Sequence, residues 1–151
     1  MAIEAPYSKY RKNNILILIA ICVVGAVYCY RDGFYNEEFK AKHTKNGIPD
    51  STLVFNQKSP PYLMGAAIIL AGFFFALKNK KIVADENQLV ISSKTKIAYD
   101  SIQKINKTNF DTKGFFIITY KKDDTEIDCK LSSRAYDNMG GILEKLVSKI
   151  S

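Results

Sequence analysis

Residues 62–77 read YLMGAAIILAGFFFAL, sixteen residues without a charged side chain. Two prolines precede this run, and three lysines follow it within four positions. As a helix the run would be about 24 Å long, against about 30 Å for the hydrocarbon core of a bilayer. The flanking Tyr62 and the long side chain of Lys78 can extend the span into the interface. We therefore predict a transmembrane helix over residues 62–78.

A second apolar run, Ile15–Tyr30, follows a leader that carries Lys9, Arg11 and Lys12. A basic start before an apolar segment is also typical of a signal peptide, but no small-residue cleavage site follows. We predict a retained transmembrane helix over residues 14–30, after a cytoplasmic leader of residues 1–13. Two buried helices of a soluble core are the alternative, although 151 residues leave little protein to cover them.

The basic residues beside the two runs set the predicted orientation. The leader has three, and three more follow the second run. The segment between the runs, residues 31–61, has five Lys/Arg, which lie mostly far from the apolar ends. This pattern predicts a multi-pass protein of the cell (inner) membrane with an extracytoplasmic loop at 31–61 and both termini in the cytoplasm.

Small residues recur at helical spacing in both apolar runs, and small faces let helices approach closely in lipid. The same faces could hold two copies together. The residues predicted to pack helix against helix are Cys22, Gly25, Ala26, Ala67, Ala71, Gly72 and Ala76.

Residues 79–151 show the alternating pattern of short β-strands and end in a periodic apolar pattern typical of a helix. The predicted strands are Gln88–Ser92, Thr95–Tyr99, Ile102–Phe110, Phe115–Tyr120 and Glu126–Leu131. The predicted helix runs from Tyr136 towards the C-terminus, with Ser132 or Ser133 as its cap and Gly140-Gly141 in its interior. The fold class predicted is α+β: a two-helix transmembrane hairpin, then a small antiparallel sheet or barrel with a C-terminal helix.

No grouping of residues suggests catalysis, a metal site or a cofactor. The three cysteines form no C-x-x-C motif, and His43 is the single histidine. The positive feature is the formal net charge of +7, which suits an anionic lipid or nucleotide ligand. Dispersed lysines that only keep the domain soluble are the alternative. Hairpin turns would bring some of the basic side chains to a shared rim; the candidate ligand-binding residues are Lys94, Lys96, Lys113, Lys121, Lys122 and Arg134.

Short strands closed by one amphipathic helix resemble the pleckstrin-homology (PH) domain. Three features are similar to bacterial PH-like membrane proteins with a transmembrane pair. They are Ile97, Tyr99 and Ile102 after Leu89-Val90-Ile91, the strand GFFIITY and the terminal helix. The resemblance covers residues 62–151 and rests on hydrophobic spacing. It implies a membrane-tethered module without catalysis, and it carries over no binding residue.

These observations predict a non-enzymatic, membrane-anchored scaffold that presents a basic PH-like domain to a protein partner or an anionic ligand. One alternative is a ligand-gated membrane effector that senses an anionic, cyclic nucleotide. Another is an accessory subunit of a membrane complex. The expected partners are the bilayer and a protein partner or further copies of the chain, with no double-stranded nucleic acid and no cofactor.

Overall fold

The computed structural model describes residues 1–150 as an α+β protein with two long apolar helices and small antiparallel sheets. The chain divides into two units. A helical unit comprises Lys12–Ala76, and a β unit comprises Met1–Arg11 together with the residues from Leu77 onward. The helical unit is therefore an insertion in the sequence of the β unit.

The α-helices are α1 Lys9–Tyr30, α2 Glu37–Lys42, α3 Ser51–Leu77, α4 Phe110–Lys113 and α5 Met139–Ile150. The strands are β1 Ile3–Pro6, β2 Thr44–Lys45, β3 Ile48–Pro49, β4 Lys81–Ala84, β5 Gln88–Val90, β6 Lys96–Ala98, β7 Ile102–Asn106, β8 Phe115–Lys122 and β9 Thr125–Ser132.

The β unit contains a four-stranded sheet in the order β1-β4-β5-β6 and a three-stranded sheet in the order β7-β8-β9, both antiparallel. The first strand comes from the segment that the sequence suggested was a polar leader. Ile3 pairs with Ala84 and Pro6 with Lys81, so residues 1–13 are not a separate leader. The prediction missed β1 because a four-residue strand that ends in proline has almost no periodicity.

One hydrophobic core unites both sheets with α5. It is built by the inward positions of alternating strands and one face of the helix. Its fully buried members include Ala5, Ile82, Leu89, Ile97, Phe116, Ile118, Met139, Ile142 and Leu146. The predicted strand Phe115–Tyr120 lies in β8, between β7 and β9.

Two predicted boundaries in the β unit are wrong, and so is the predicted cap of its terminal helix. The strand that begins at Ile102 ends at Asn106, and residues 110–113 form the short helix α4 instead. The terminal helix begins at Met139 rather than Tyr136, so Gly140 and Gly141 lie in its first turn. Ser132 and Ser133 do not cap it. Ser133 instead donates from its backbone N–H to the Gly114 carbonyl at 2.9 Å.

In the helical unit, the second long helix begins at Ser51 rather than Tyr62, and Pro60 and Pro61 lie inside it. Prolines inside a helix remove two ladder hydrogen bonds, which is why the sequence suggested a boundary there. The carboxylate of Asp50 offsets part of this cost, because its Oδ1 accepts from the N–H groups of Thr52 and Leu53 at 2.9 Å each. The predicted loop at 31–61 is therefore largely helical, with a π-helical turn at Arg31–Tyr35 and the two-residue strands β2 and β3.

The less exposed residues of the two long helices recur with spacings of three and four, the pattern by which one helix packs along another. In α1 and the turn after it they are Ile15, Ile19, Cys22, Ala26, Cys29 and Gly33. In α3 they are Leu53, Asn56, Pro60, Leu63, Ala67, Leu70 and Phe74. The two helices therefore share one stripe of contact, which small residues occupy in part.

Gly33 marks the closest approach within this stripe. A Cβ on Gly33 would lie 2.9 Å from the carbonyl carbon and oxygen of Asn56. The Gln57 side chain adds a hydrogen bond from Nε2 to the Gly33 carbonyl at 3.2 Å. Because residue 60 is a proline, the Asn56 carbonyl lacks its usual helical donor at that position. The approach at Gly33 therefore coincides with the disrupted turn of α3.

We expect Gly33→Ala to destabilise the helical unit by about 1–3 kcal/mol, because the new methyl group meets fixed backbone. Gly65→Ala is the matched control, since nothing lies within 4 Å of a Cβ at Gly65 and alanine favours helix over glycine. Thermal unfolding of the full chain in detergent measures both. Equal melting temperatures for the two variants would contradict the close approach at Gly33.

The start of α3 also predicts a pH dependence. Two hydrogen-bonding groups lower the pKa of Asp50 below its ordinary 3.8. The N–H of Leu53 has the larger effect, and the ring of His43, whose Nδ1 lies 2.8 Å from Asp50 Oδ2, has the next. The ionised carboxylate therefore stabilises the fold at neutral pH, and this contribution is lost as the pH falls through and below 3.8. We expect the melting temperature of Asp50→Asn to fall less than that of the parent between about pH 6 and about pH 3. Glu38→Gln is the control, and its pH dependence should match that of the parent.

Candidate functional site

A shallow groove of about 430 Å³ lies at one end of the four-stranded sheet, on the face turned away from the core. Its floor includes Val83 and Val90, which are register partners on β4 and β5. Because side chains alternate along a strand, these two point away from the buried Ile82 and Leu89. We call this site the junction groove; it is lined by Asn79, Lys80, Lys81, Val83, Val90, Ile91, Ser92, Ser93 and Tyr136.

Local structure brings these residues together. β4 begins at Lys81 and β5 ends at Val90, so the turn after β5 lies beside the start of β4. The turn is held by Ser92, whose Oγ accepts from the N–H groups of Lys94 and Thr95 at 3.3 and 3.1 Å. Tyr136 pairs with Tyr7 at the end of β1, and the two rings meet edge-to-face with centroids 6.0 Å apart.

The two lysines of the junction groove differ in their surroundings. Lys81 Nζ lies 2.6 Å from Glu4 Oε1 on the neighbouring strand, so its charge is largely balanced. The Lys80 side chain is exposed, and within residues 1–150 it has no acidic partner at ion-pair distance. Its backbone carbonyl accepts from the Tyr7 N–H at 2.8 Å. The backbone at Lys80 is thus fixed while its ammonium group remains available.

Tyr136 contributes an uncharged phenol. Burial, and next the neighbouring Tyr7, raise the pKa of Tyr136 above its ordinary value of 10.0, so the ring carries no negative charge at neutral pH. An ammonium group, serine hydroxyls and an apolar floor suit a ligand that has both a phosphate and a hydrocarbon part.

The chain connectivity limits the distance between the junction groove and the second apolar run. Lys80 follows Leu77 by three residues, and each residue spans at most about 3.6 Å. The Lys80 backbone therefore lies within about 11 Å of the end of that run, whatever the arrangement of the two units. In the sequence these lysines indicate only the orientation of the apolar helices, and no pattern marks them as a binding site.

The structure does not gather the predicted ligand-binding residues at one rim. Lys94 is in the turn beside the junction groove, and Lys96 faces outward opposite Val90. The remaining four lie at the two ends of the β8–β9 hairpin: Lys113 and Arg134 at one end, Lys121 and Lys122 at the other. An eight-residue strand separates these ends by about 24 Å, too far for one small ligand.

The predicted helix-packing residues differ in exposure. Ala26 and Ala67 are 3% and 4% exposed, and a Cβ on Gly25 would lie 3.5 Å from Leu63 Cδ1. Cys22 and Ala71 are half-buried. Gly72 and Ala76 are exposed instead, with nothing within 4 Å of a Cβ at Gly72.

Two further features bear on chemistry. Burial raises the pKa of the Cys129 thiol, so this cysteine is not an activated nucleophile. Throughout the described residues, no three His, Cys, Asp or Glu side chains come together as a metal-binding group would require.

Comparison with protein-family models, with curated protein sequences and with solved structures gives no match to this chain.

Proposed function

We propose that this chain is a non-enzymatic, membrane-anchored binding module with a PH-like β unit, which contacts anionic lipid headgroups through the junction groove. The observation that carries the proposal is Lys80, an exposed cation that lies a few residues after an apolar helix and beside hydroxyls and an apolar floor. An anionic bilayer surface attracts such residues by about 1 kcal/mol each.

The apolar surface of the helical unit supports the membrane anchor. Both long helices have the length and composition needed to cross a bilayer, and 6% and 11% of their most apolar windows are buried. Residues such as Ile21, Val27, Ile68 and Phe75 are each more than half exposed. Water would penalise so much exposed apolar surface, whereas lipid would not. On this proposal the protein crosses the membrane twice, with both termini in the cytoplasm.

The architecture of the β unit supports the PH-like assignment. A four-stranded and a three-stranded antiparallel sheet, whose core is closed by one amphipathic helix, resemble the short strands and terminal helix of that family. In this interpretation the two apolar helices are inserted between the first and second strands of the domain.

The membrane anchor is tested by extraction. We expect the full chain to stay in the membrane pellet after an alkaline carbonate wash and to enter solution only with detergent. Release by carbonate alone would show a peripheral protein and would remove the basis for this proposal.

The lipid contact is tested with the full chain in nanodiscs of phosphatidylcholine, with or without phosphatidylglycerol. We expect the anionic lipid to slow hydrogen exchange in residues 79–83 and 90–93. Lys80→Glu should abolish most of this protection because it reverses the unpaired charge at the site. Lys122→Glu is the matched control, since it makes the same change at the far end of a hairpin, and it should keep the protection.

Two outcomes would overturn the lipid assignment. Equal loss of protection in both variants would indicate a general charge effect. Protection of the same segments by a cyclic dinucleotide in neutral nanodiscs, without any response to phosphatidylglycerol, would identify a soluble anion as the ligand.

A further inference from the structure

The outer edge of β9 is a long strand edge without a partner. Within the described residues, β9 pairs with β8 and with no other strand. Its eight residues, TEIDCKLS, contain neither proline nor glycine, and its register against β8 has no bulge. Edges of this length are usually shortened, bulged, covered or given charged side chains, because their free N–H and C=O groups can recruit another strand. The strand β9 has only the charged side chains, Glu126, Asp128 and Lys130.

The register shows which backbone N–H and C=O groups face this edge. Ser133 donates to the Gly114 carbonyl, and Asp123 and Asp124, both with positive φ, close the other end as a two-residue turn. Backbone groups alternate along a strand, so those of Thr125, Ile127, Cys129 and Leu131 bond to β8. The backbone groups of Glu126, Asp128, Lys130 and Ser132 therefore face outward.

The edge is self-complementary in one antiparallel register. If two copies of β9 meet about a two-fold axis at Cys129, Asp128 of each copy lies opposite Lys130 of the other. On the apolar face Ile127 then lies opposite Leu131, and the two Cys129 residues face each other. With the axis at Asp128 instead, the apolar faces of the two strands would still lie on the same side of the sheet. The two Asp128 carboxylates would then lie directly opposite each other, which is destabilising.

Both charged residues have bonding capacity left for a second copy. Asp128 accepts from Thr119 Oγ1 through Oδ1 at 2.6 Å, which leaves Oδ2 for a further donor. Lys130 Nζ lies 3.8 Å from the centroid of the Phe115 ring, a contact that leaves its N–H groups free. Both side chains are exposed.

We propose that two copies of this chain associate by antiparallel pairing of their β9 edges, with Cys129 on the two-fold axis. The chemistry is backbone hydrogen bonding along the strand, with two Asp128–Lys130 pairs that fix the register. This pairing does not depend on the junction groove or on lipid. A shared membrane would raise the effective concentration of the two edges.

The geometry predicts a specific cross-link. Opposed residues at a position without cross-strand hydrogen bonds have Cα atoms about 4.5 Å apart, within the range that a disulfide spans. The full chain with Cys22→Ser and Cys29→Ser keeps Cys129 as its single thiol. Oxidation of this variant in membranes with copper–phenanthroline should give a dimer on a non-reducing gel, and dithiothreitol should reverse it.

The matched control moves the thiol two residues along β9, to the next position on the same face. Ile127→Cys, combined with Cys129→Ser in the same background, places the two thiols about 13 Å apart along the strands in the proposed register. This variant should give no dimer. Equal cross-linking at positions 127 and 129 would mean random collision and would overturn the proposal.

Charge reversal tests the register separately. In the single-thiol background, Asp128→Lys places a positive charge opposite Lys130 of the other copy at both ends of the pair. This variant should abolish the dimer band. The double variant Asp128→Lys, Lys130→Asp restores opposite charges and should restore the band. Glu126→Lys, which lies opposite Ser132, should leave the band unchanged. Thermal unfolding of each variant identifies any that fail to fold.

Two results would overturn the proposal: no dimer from the folded Cys129 variant, or a dimer that Asp128→Lys leaves intact. Absence of lipid protection in the parent chain, together with an intact Cys129 cross-link, would overturn only the proposed function, so the two proposals fail independently.

Discussion

The pairing of β1 with β4 is the constraint on which the rest of the structure depends. These strands are neighbours in the sheet, yet the whole helical unit separates them in sequence. The Tyr7 N–H donates to the Lys80 carbonyl at 2.8 Å, which extends the pairing to the residues where the chain leaves the β unit and returns to it. The two chain segments that lead into and out of the helical unit are therefore held beside each other within the β unit.

Several contacts outside the sheet hold β1 in place. Lys145 Nζ on α5 donates to the carbonyls of Met1 and Ala84 at 2.6 and 3.0 Å. Beyond the end of β1, the Asp137 N–H donates to the Pro6 carbonyl at 2.8 Å. The Asp137 carboxylate accepts from the Lys9 N–H at 2.9 Å. These contacts add to the few backbone hydrogen bonds that a four-residue strand can make. They also position Tyr136 beside Tyr7, and so complete the junction groove.

The parts of this fold that the sequence predicted are those with a strong local period. The strand β9 alternates apolar and polar residues, and α5 has about three turns with apolar residues on one face. The class α+β and the existence of two long apolar helices follow from the same kind of pattern.

The features that could not be predicted depend on contacts between distant residues. β1 has only four residues, and its partner is far away in sequence, so no local pattern identifies it. α3 begins at Ser51, where Asp50 caps it and Leu53 is buried, and it continues through Pro60 and Pro61. Neither the cap geometry nor that burial can be read from the residues that follow. The basic residues were expected to meet at hairpin turns, but which turns adjoin is decided by register.

The distribution of partners among the charged groups explains why binding, rather than catalysis, is the function that we propose. Glu4 neutralises Lys81, Thr119 contacts Asp128, and Lys145 is bound to backbone carbonyls. Each of these groups contributes to the fold. General acid–base or nucleophilic chemistry needs polar groups that converge on a reacting atom with shifted pKa values. In the junction groove, Lys80 instead offers an exposed charge without an acidic partner among the described residues, which can attract an anion.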